Sequence, residues 1–326
     1  MKISIAMATY NGAKYLQEQL DSLVNQTRQP DELVVCDDTS TDETVDILNR
    51  FAKTAPFQVK IFVNEKNLGY TQNFGRALSL CVGDLIFLSD QDDVWFPEKI
   101  ATIENLAEQD DYTQIFMNDA ELVHHDLSPT GLTKQGQIKS AGLPNSCFVM
   151  GCCMAIRRDF LKHLLPIPIE FTHDSWLSKL AEGLQRRTII SQSLQLYRRH
   201  GSNASVNMVN RTLRINKIHT MIDNLKKTVE NIRGYDSHGI DTVIVYTRII
   251  IQVLTKWRKE TNDESLIAQI DEYKIAQKTL VKALEERITI RRMPLIRRVF
   301  YAATFYCRRG YQQFNGISSY VRDILA

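Results

Sequence analysis

Two rhythms of apolar positions alternate along the first 120 residues. Short, nearly continuous apolar runs at 3–8 (ISIAMA), 32–38 (ELVVCDD), 59–64 (VKIFVN), 84–90 (DLIFLSD) and 114–119 (QIFMND) predict strands. The segments between them, 15–26, 42–52, 70–81 and 97–108, carry apolar residues at helical spacing, with Leu16, Leu20 and Leu23 on one face and Pro97 in a first turn. Strands alternating with helices of this length predict βαβ units and a mostly parallel sheet. Runs without polar alternation fit strands covered on both faces. From about residue 205 the rhythm becomes helical throughout. Ile215, Ile218, Ile222, Leu225, Val229 and Ile232 trace a heptad seam that is too short to argue for a free coiled coil. It suits a helix packed on its own chain at least as well as a homodimer through the helical C-terminal region.

Charge divides the chain as the pattern does. Residues 1–200 hold 19 Lys and Arg against 26 Asp and Glu, whereas 201–326 hold 21 against 12. An acidic front and a basic back suit different partners. No run of about 20 uncharged apolar residues occurs, so no membrane span is expected. MKISIAMATYNG reads as a buried strand rather than a signal peptide. The cysteines at 36, 81, 147, 152, 153 and 307 have neither zinc-like spacing nor a disulfide framework, which fits a reducing, cytoplasmic compartment.

Polar residues gather where the predicted strands end. ATYNG (8–12), DDTSTD (37–42), SDQDD (89–93) and ND (118–119) each follow an apolar run. In open α/β sheets ligands bind beyond the carboxyl ends of the strands, so these clusters should meet in one crevice. No glycine-rich phosphate loop accompanies them. The alternative is a divalent ion on carboxylates that in turn holds a diphosphate, and Mn2+ or Mg2+ takes oxygen ligands readily. Asp90 and Asp92 share a face of an extended segment. Asp93 then faces away and is expected to cap the helix that begins near Pro97.

ATYNG, VVCDDTSTD, NLGYTQN (67–73) and LSDQDDVW, in this order, resemble the family 2 glycosyltransferases, which have the GT-A nucleotide-diphospho-sugar transferase fold. The likeness spans roughly 1–205, with a nucleotide-sugar half at 1–119, an acceptor half at 120–205, and 206–326 as a basic helical extension. GCCMAIRRDFL (151–161), THDSWL (172–177) and YRRHGSNAS (197–205) resemble the family's acceptor-side, catalytic-base and closing-loop segments. The resemblance implies that Thr9, Tyr10, Asn11 and Asp38 hold the base and ribose of a nucleoside diphosphate sugar. Asn67 and Asn73 would line the donor pocket. Asp90 and Asp92 would serve donor and metal, with His200 closing over the diphosphate or the metal. Asp174 would be the general base of a single, inverting displacement; without the resemblance it reads equally well as a helix N-cap. Gln91 departs from the Ala or Gly that many members carry between the two aspartates. DQDDVW with HDSW and YRRHGSN is similar to bacterial rhamnosyltransferases of cell-wall and capsular polysaccharide synthesis. That implies a dTDP-linked donor, with a UDP-hexose as alternative, and a glycan or polyprenyl-diphosphate-linked acceptor.

The segment 287–309 carries seven arginines and no acidic residue, interleaved with Ile, Leu, Val, Phe and Tyr. It fits an anionic membrane surface or arginines packed along the protein. No nucleic-acid motif accompanies it, so no nucleic-acid partner is expected. Two other function classes compete. A nucleotidyltransferase should show a glycine-rich basic loop after the first strand, where only Gly12 and Lys14 stand. A non-catalytic nucleotide-sugar-binding subunit would tolerate loss of Asp174. Residues 128–146 read as an acceptor-side loop.

Overall fold

A computed structural model describes residues 1–201, 208–222, 237–314 and 316–325. The chain divides into two compact units, Met1–Lys217 and Ile218–Ala326. Leu225, Val229 and Ile232 of the heptad seam, and residues 202–205 of the closing loop, lie outside the described residues.

The first unit follows the predicted alternation. Strands β1 (Ile3–Thr9), β2 (Glu32–Asp37), β3 (Gln58–Val63) and β4 (Leu85–Ser89) alternate with helices α1 (Ala13–Val24), α2 (Thr44–Ala52) and α3 (Tyr70–Leu80). They form a parallel half-sheet in the order β3-β2-β1-β4. β1, β2 and β4 are buried along their whole length or nearly so, because helices cover both faces. Ile5, Met7, Val35 and Phe87 of the strands pack with Leu16 and Leu20 of α1 in one core. Beyond Asp93 lie a two-residue strand β5 (Val94–Trp95), helix α4 (Lys99–Gln109) and strand β6 (Ile115–Val123).

The acceptor half changes the pairing. β7 (Pro129–Thr133), helix α5 (Lys134–Ser140) and β8 (Met154–Arg157) lead into helices α6 (Arg158–Leu161) and α7 (His173–Gly183) and the long β9 (Arg187–Arg198). β8 joins β4 and β6 antiparallel, β9 runs parallel to β6, and β5 closes antiparallel on β9. The sheet is therefore mixed rather than parallel throughout. β6 continues to Val123, so Asn118 and Asp119 sit inside a strand and not at its end; both are buried, and the Asp119 carboxylate accepts from Ala120 N and Gln135 N. This removes one of the four clusters expected at strand ends.

The second unit is helical among its described residues, with helices at Ser237–Glu260, Glu264–Arg291, Leu295–Cys307 and Ile317–Leu325. Asp263 caps the second of these through hydrogen bonds from Ser265 N and Leu266 N. Ala283, Ile290, Ala302, Phe305 and Tyr311 form its core. Asp323, fully buried, takes Arg287 and Arg291 at 2.7 Å each, so two of the seven clustered arginines are engaged inside the unit. Arg298 donates to Met293 O and Ile324 O. No described helix is long and apolar enough to cross a membrane.

Candidate active site

The turn after β1 is built by hydrogen bonds from the neighbouring strand ends. Thr9 Oγ1 donates to Asp37 at 2.8 Å, and both residues are buried. Asn11, at φ 47°, donates its N–H to Ser40 Oγ and accepts from Thr41 N, both at 2.8 Å. This locks the β1 and β2 turns together and leaves the Tyr10 ring half exposed. Gln91 ties the same turn to the aspartate pair: its Oε1 accepts from Tyr10 N at 2.8 Å and its Nε2 donates to Tyr10 O at 3.1 Å. A Cβ on Gly12 would lie 2.3 Å from Gln91 Oε1. The glutamine that departs from the usual small residue therefore occupies space that Gly12 leaves free.

Asp38 organises the loop before α3. Its carboxylate accepts from Asn64 Nδ2, Leu68 N and Gly69 N at 2.7, 2.8 and 2.9 Å. Gly69 holds φ at 77°, which lets two successive N–H groups point at one carboxylate. Three of the carboxylate's roughly four acceptor sites are engaged by the loop, leaving room for one more donor on Oδ2. Asn73 is buried, donating to Cys36 O at 2.8 Å and accepting from Asn64, so its contact with any ligand runs through this loop. Asn67 is exposed beside it and donates to Asp38 O.

The aspartates beyond β4 part company as β5 forms. Asp90 and Asp92 are half-buried, whereas Asp93 is fully buried. The expected cap role of Asp93 does not hold. Glu98 occupies the cap position of α4, and Asp93 accepts from Gln195 Nε2 at 2.9 Å and from Arg198 N at 3.2 Å. Gln195 also accepts from Lys99, which donates to Cys152 O and lies 3.8 Å from the Trp95 ring centre. Burial pulls the Lys99 amine down to about 8. Burial, then the Asp92 charge, pushes the Asp90 carboxyl up to about 7, and Asp174 pushes in the same direction. Asp93 is raised well above the usual carboxylate range by burial and then by its two neighbours.

β9 brings in the remaining groups. Because β5 pairs with Gln195 and Leu196, the end of β9 passes directly over the aspartates. Arg198 Nε donates to Asp92 O at 2.8 Å, its guanidinium sits 4.5 Å from the Tyr15 ring centre, and it pairs with Glu18. Two residues on, His200 Nε2 meets Asp92 Oδ2 at 2.8 Å, and its ring lies tilted against Tyr15 with centroids 4.9 Å apart. Asp174 lies in the first turn of α7, where Thr172 holds the cap position, so it is not the N-cap. Its Oδ1 accepts from Thr172 Oγ1 at 2.6 Å and Ser175 N at 2.7 Å. The preceding His173 is buried, stacked on Phe74 at 4.1 Å with Tyr70 edge-on at 6.0 Å. It fixes the head of α7 against α3, and burial lowers its pKa while Asp174 opposes that shift.

A divalent cation fits this donor set. Burial first and the Asp92 charge second make an ionised Asp90 costly, and a cation would offset both. Oxygen ligands suit Mg2+ or Mn2+. Asp90, Asp93 and Cys152 also bring ligand atoms within 4.8 Å of one another, but Asp93 already serves Gln195 and Arg198. Asp90 and Asp92 would hold the ion, with His200 placed to orient Asp92. Among the predicted residues, Asp90, Asp92, Asp174 and His200 are half-buried around one end of β4 and β9. Tyr10, Asn11 and Asn67 form an exposed rim, and Thr9, Asp38 and Asn73 lie behind it. Lys99, Gln195, Arg198 and Cys152 escaped the sequence reading, because β5 is two residues long and leaves no periodic signal.

The profile of Glycosyl transferase family 2 matches residues 4–165, and the chain belongs to that family. A dTDP-rhamnosyl transferase of Shigella flexneri is 37% identical over 98 residues, 29% of this chain and 34% of that protein. A UDP-Glc:α-D-GlcNAc-diphosphoundecaprenol β-1,3-glucosyltransferase of Escherichia coli is 25% identical over 215 residues, 65% of this chain and 83% of its own length. The first curated relatives matched are spanned for 66%, 36% and 37% of their length. Among solved structures, Staphylococcus aureus TarS 1–349 in complex with UDP superposes with a TM-score of 0.55 at 18% identity, over 87% of this chain and 91% of that one. The shared architecture is the GT-A fold expected from the motifs.

Proposed function

We propose that the protein is a metal-dependent, inverting glycosyltransferase that moves a sugar from a nucleoside diphosphate sugar to a hydroxyl of a growing surface glycan or polyprenyl-diphosphate-linked acceptor. The observation that carries this is convergence. Asp90 and Asp92 at the end of β4, His200 beyond β9 and Asp174 at the head of α7 come from three distant stretches, yet His200 binds Asp92 and the Asp174 charge acts on Asp90. A site for nucleotidyl transfer would instead need a basic phosphate loop after β1, where the turn is committed to Ser40, Thr41 and Gln91.

In this reading the rim of Tyr10, Asn11 and Asn67, backed by Asp38, receives base and ribose. A bound Mg2+ or Mn2+ would supply Lewis-acid stabilisation to the leaving diphosphate. Asp174 takes the proton from the acceptor hydroxyl as its oxygen attacks the anomeric carbon. Thr172 and Ser175 engage Oδ1, and no described residue donates to Oδ2, which keeps that oxygen available as the base. One displacement inverts the anomeric configuration, so no covalent sugar–enzyme intermediate forms. The Shigella relative favours dTDP-rhamnose as donor; the Escherichia relative favours the alternative, a UDP-hexose and a lipid-linked acceptor. A polyprenyl-linked acceptor would put the enzyme at the cytoplasmic face of the membrane.

The test is a thermal-shift panel of dTDP- and UDP-sugars, with and without Mn2+. The reading expects stabilisation by a nucleotide sugar only when metal is present. Equal shifts with and without metal would overturn the metal assignment, and no shift with any donor would overturn the function.

A further inference from the structure

The helix Leu295–Cys307 has two apolar faces, although a helix on the rim of a small bundle needs only one. Ala302 and Phe305 on the first face enter the core of the second unit. The second face meets solvent. Ile296 is 86% exposed, Phe300 68%, Leu295 62% and Val299 41%, and Tyr306 at 43% continues the line. Positions 295, 299 and 306 and positions 296, 300 and 307 recur at spacings of four and seven. They therefore form one stripe running along about three turns of the helix. Single exposed apolar side chains are ordinary, but a contiguous stripe marks a surface that something covers.

Charge says what covers it. Arg292 and Arg297 are exposed at the start of this helix and Arg308 and Arg309 at its end, and no acidic residue occurs anywhere from 287 to 309. Arg287, Arg291 and Arg298 bond within the unit, so the outward charge belongs to the other four. A second copy of this chain would bring the same positive charges to the same face and be repelled. An anionic lipid surface matches both features: phosphate groups for the arginines and an acyl boundary for the stripe. At 13 residues the helix is about 20 Å long, too short to span a bilayer but suited to lie in its plane.

We propose that this face docks the protein on anionic membrane, with Leu295, Ile296, Val299 and Phe300 entering the interface and Arg292, Arg297, Arg308 and Arg309 on lipid phosphates. This deepens the membrane-facing part of the functional reading and rests on it only for the acceptor. The mode is in-plane, so binding falls with salt as the arginine contacts are screened.

The experiment is co-sedimentation of the full-length protein with phosphatidylglycerol and with phosphatidylcholine vesicles. Three proteins are compared: wild type, Ile296→Ser with Phe300→Ser, and Arg292→Gln with Arg297→Gln. Wild type should bind the anionic vesicles and bind the neutral ones far more weakly. The arginine pair should lose about thirtyfold in partitioning, and the apolar pair about tenfold or more. All four substituted side chains are surface groups, so donor-induced thermal shifts should be the same in all three. Equal partitioning of wild type and both variants would overturn the docking face. So would loss of self-association in the apolar variant without any vesicle binding by wild type, which would assign the stripe to a second copy. Donor shifts that fail in all three proteins would count against the catalytic reading and leave the vesicle result standing.

Discussion

Gly12 and Gln91 make a sharp test of how the donor turn is built. Gly12 has φ −100° and ψ 3°, a backbone that alanine adopts without strain. The cost of Gly12→Ala must therefore come from its new Cβ, 2.3 Å from Gln91 Oε1 and 2.4 Å from Cδ. The obstacle is the end of a flexible side chain, so Gln91 should swing out and lose both its hydrogen bonds to Tyr10. Two neutral hydrogen bonds contribute about 1–3 kcal/mol together. Gln91→Ala should cost the same amount directly. In that background Gly12→Ala meets open space, and by restricting the unfolded chain it should stabilise by about 0.4–1 kcal/mol. The effect of Gly12→Ala thus changes sign between the two backgrounds; the unfolded-chain gain is common to both, so the coupling is the lost pair of hydrogen bonds, about 1–3 kcal/mol. Urea unfolding of the four proteins measures it. Donor affinity should fall in both single variants, since Tyr10 and the Asp90–Asp92 pair lose their common brace. If Gly12→Ala destabilises equally with and without Gln91, the brace is not what Gly12 accommodates.

Two further outcomes are expected. Lys99 is held at about 8 in the fold against an ordinary 10.5, so the unfolded chain binds more protons between those values and stability should rise with pH across them, by at most about 3 kcal/mol. Lys134 is lowered to about 8 as well, so Lys99→Met should flatten that rise in pH-dependent melting without abolishing it; an unchanged slope would refute the assignment. Gly151→Ala would put a Cβ 2.5 Å from His173 Nε2. Displacing His173 from Phe74 should shift Asp174, lowering kcat about tenfold or more while donor affinity holds, and a loss confined to donor affinity would contradict this.

The nucleotide half was legible in the sequence because β1, β2 and β4 are covered on both faces and its helices are amphipathic, so burial writes itself into composition. β1, β2, β3 and β4 all fall within two residues of their expected bounds. The acceptor half was less legible. β9 begins half-buried, is exposed at Ser191 and Gln192 and becomes mostly buried only towards Arg198, with no regular alternation, and β5 has no length in which to repeat. That loss mattered for the site. Asp93 looked like a helix cap in the local sequence, and only the β5–β9 pairing reveals that Gln195 and Arg198 claim it. Asp174 and Asp90 were recognisable from their motifs, but their mutual electrostatic influence depends on α7 packing against α3 through His173 and Phe74. Similarly, seven arginines in one stretch looked alike until Asp323 separated those that hold the fold from those that face outward.

The central claim is that Asp174 is the base of a sugar transfer, and Asp174→Asn tests it most directly. The amide keeps the shape and can still accept from Thr172 and Ser175, but it cannot take a proton. Transfer to acceptor should fall by about 10²–10⁴, while the affinity for nucleotide sugar and metal, measured by calorimetry, stays within about threefold, which is under 0.7 kcal/mol. Transfer at the wild-type rate with donor binding intact would contradict the account.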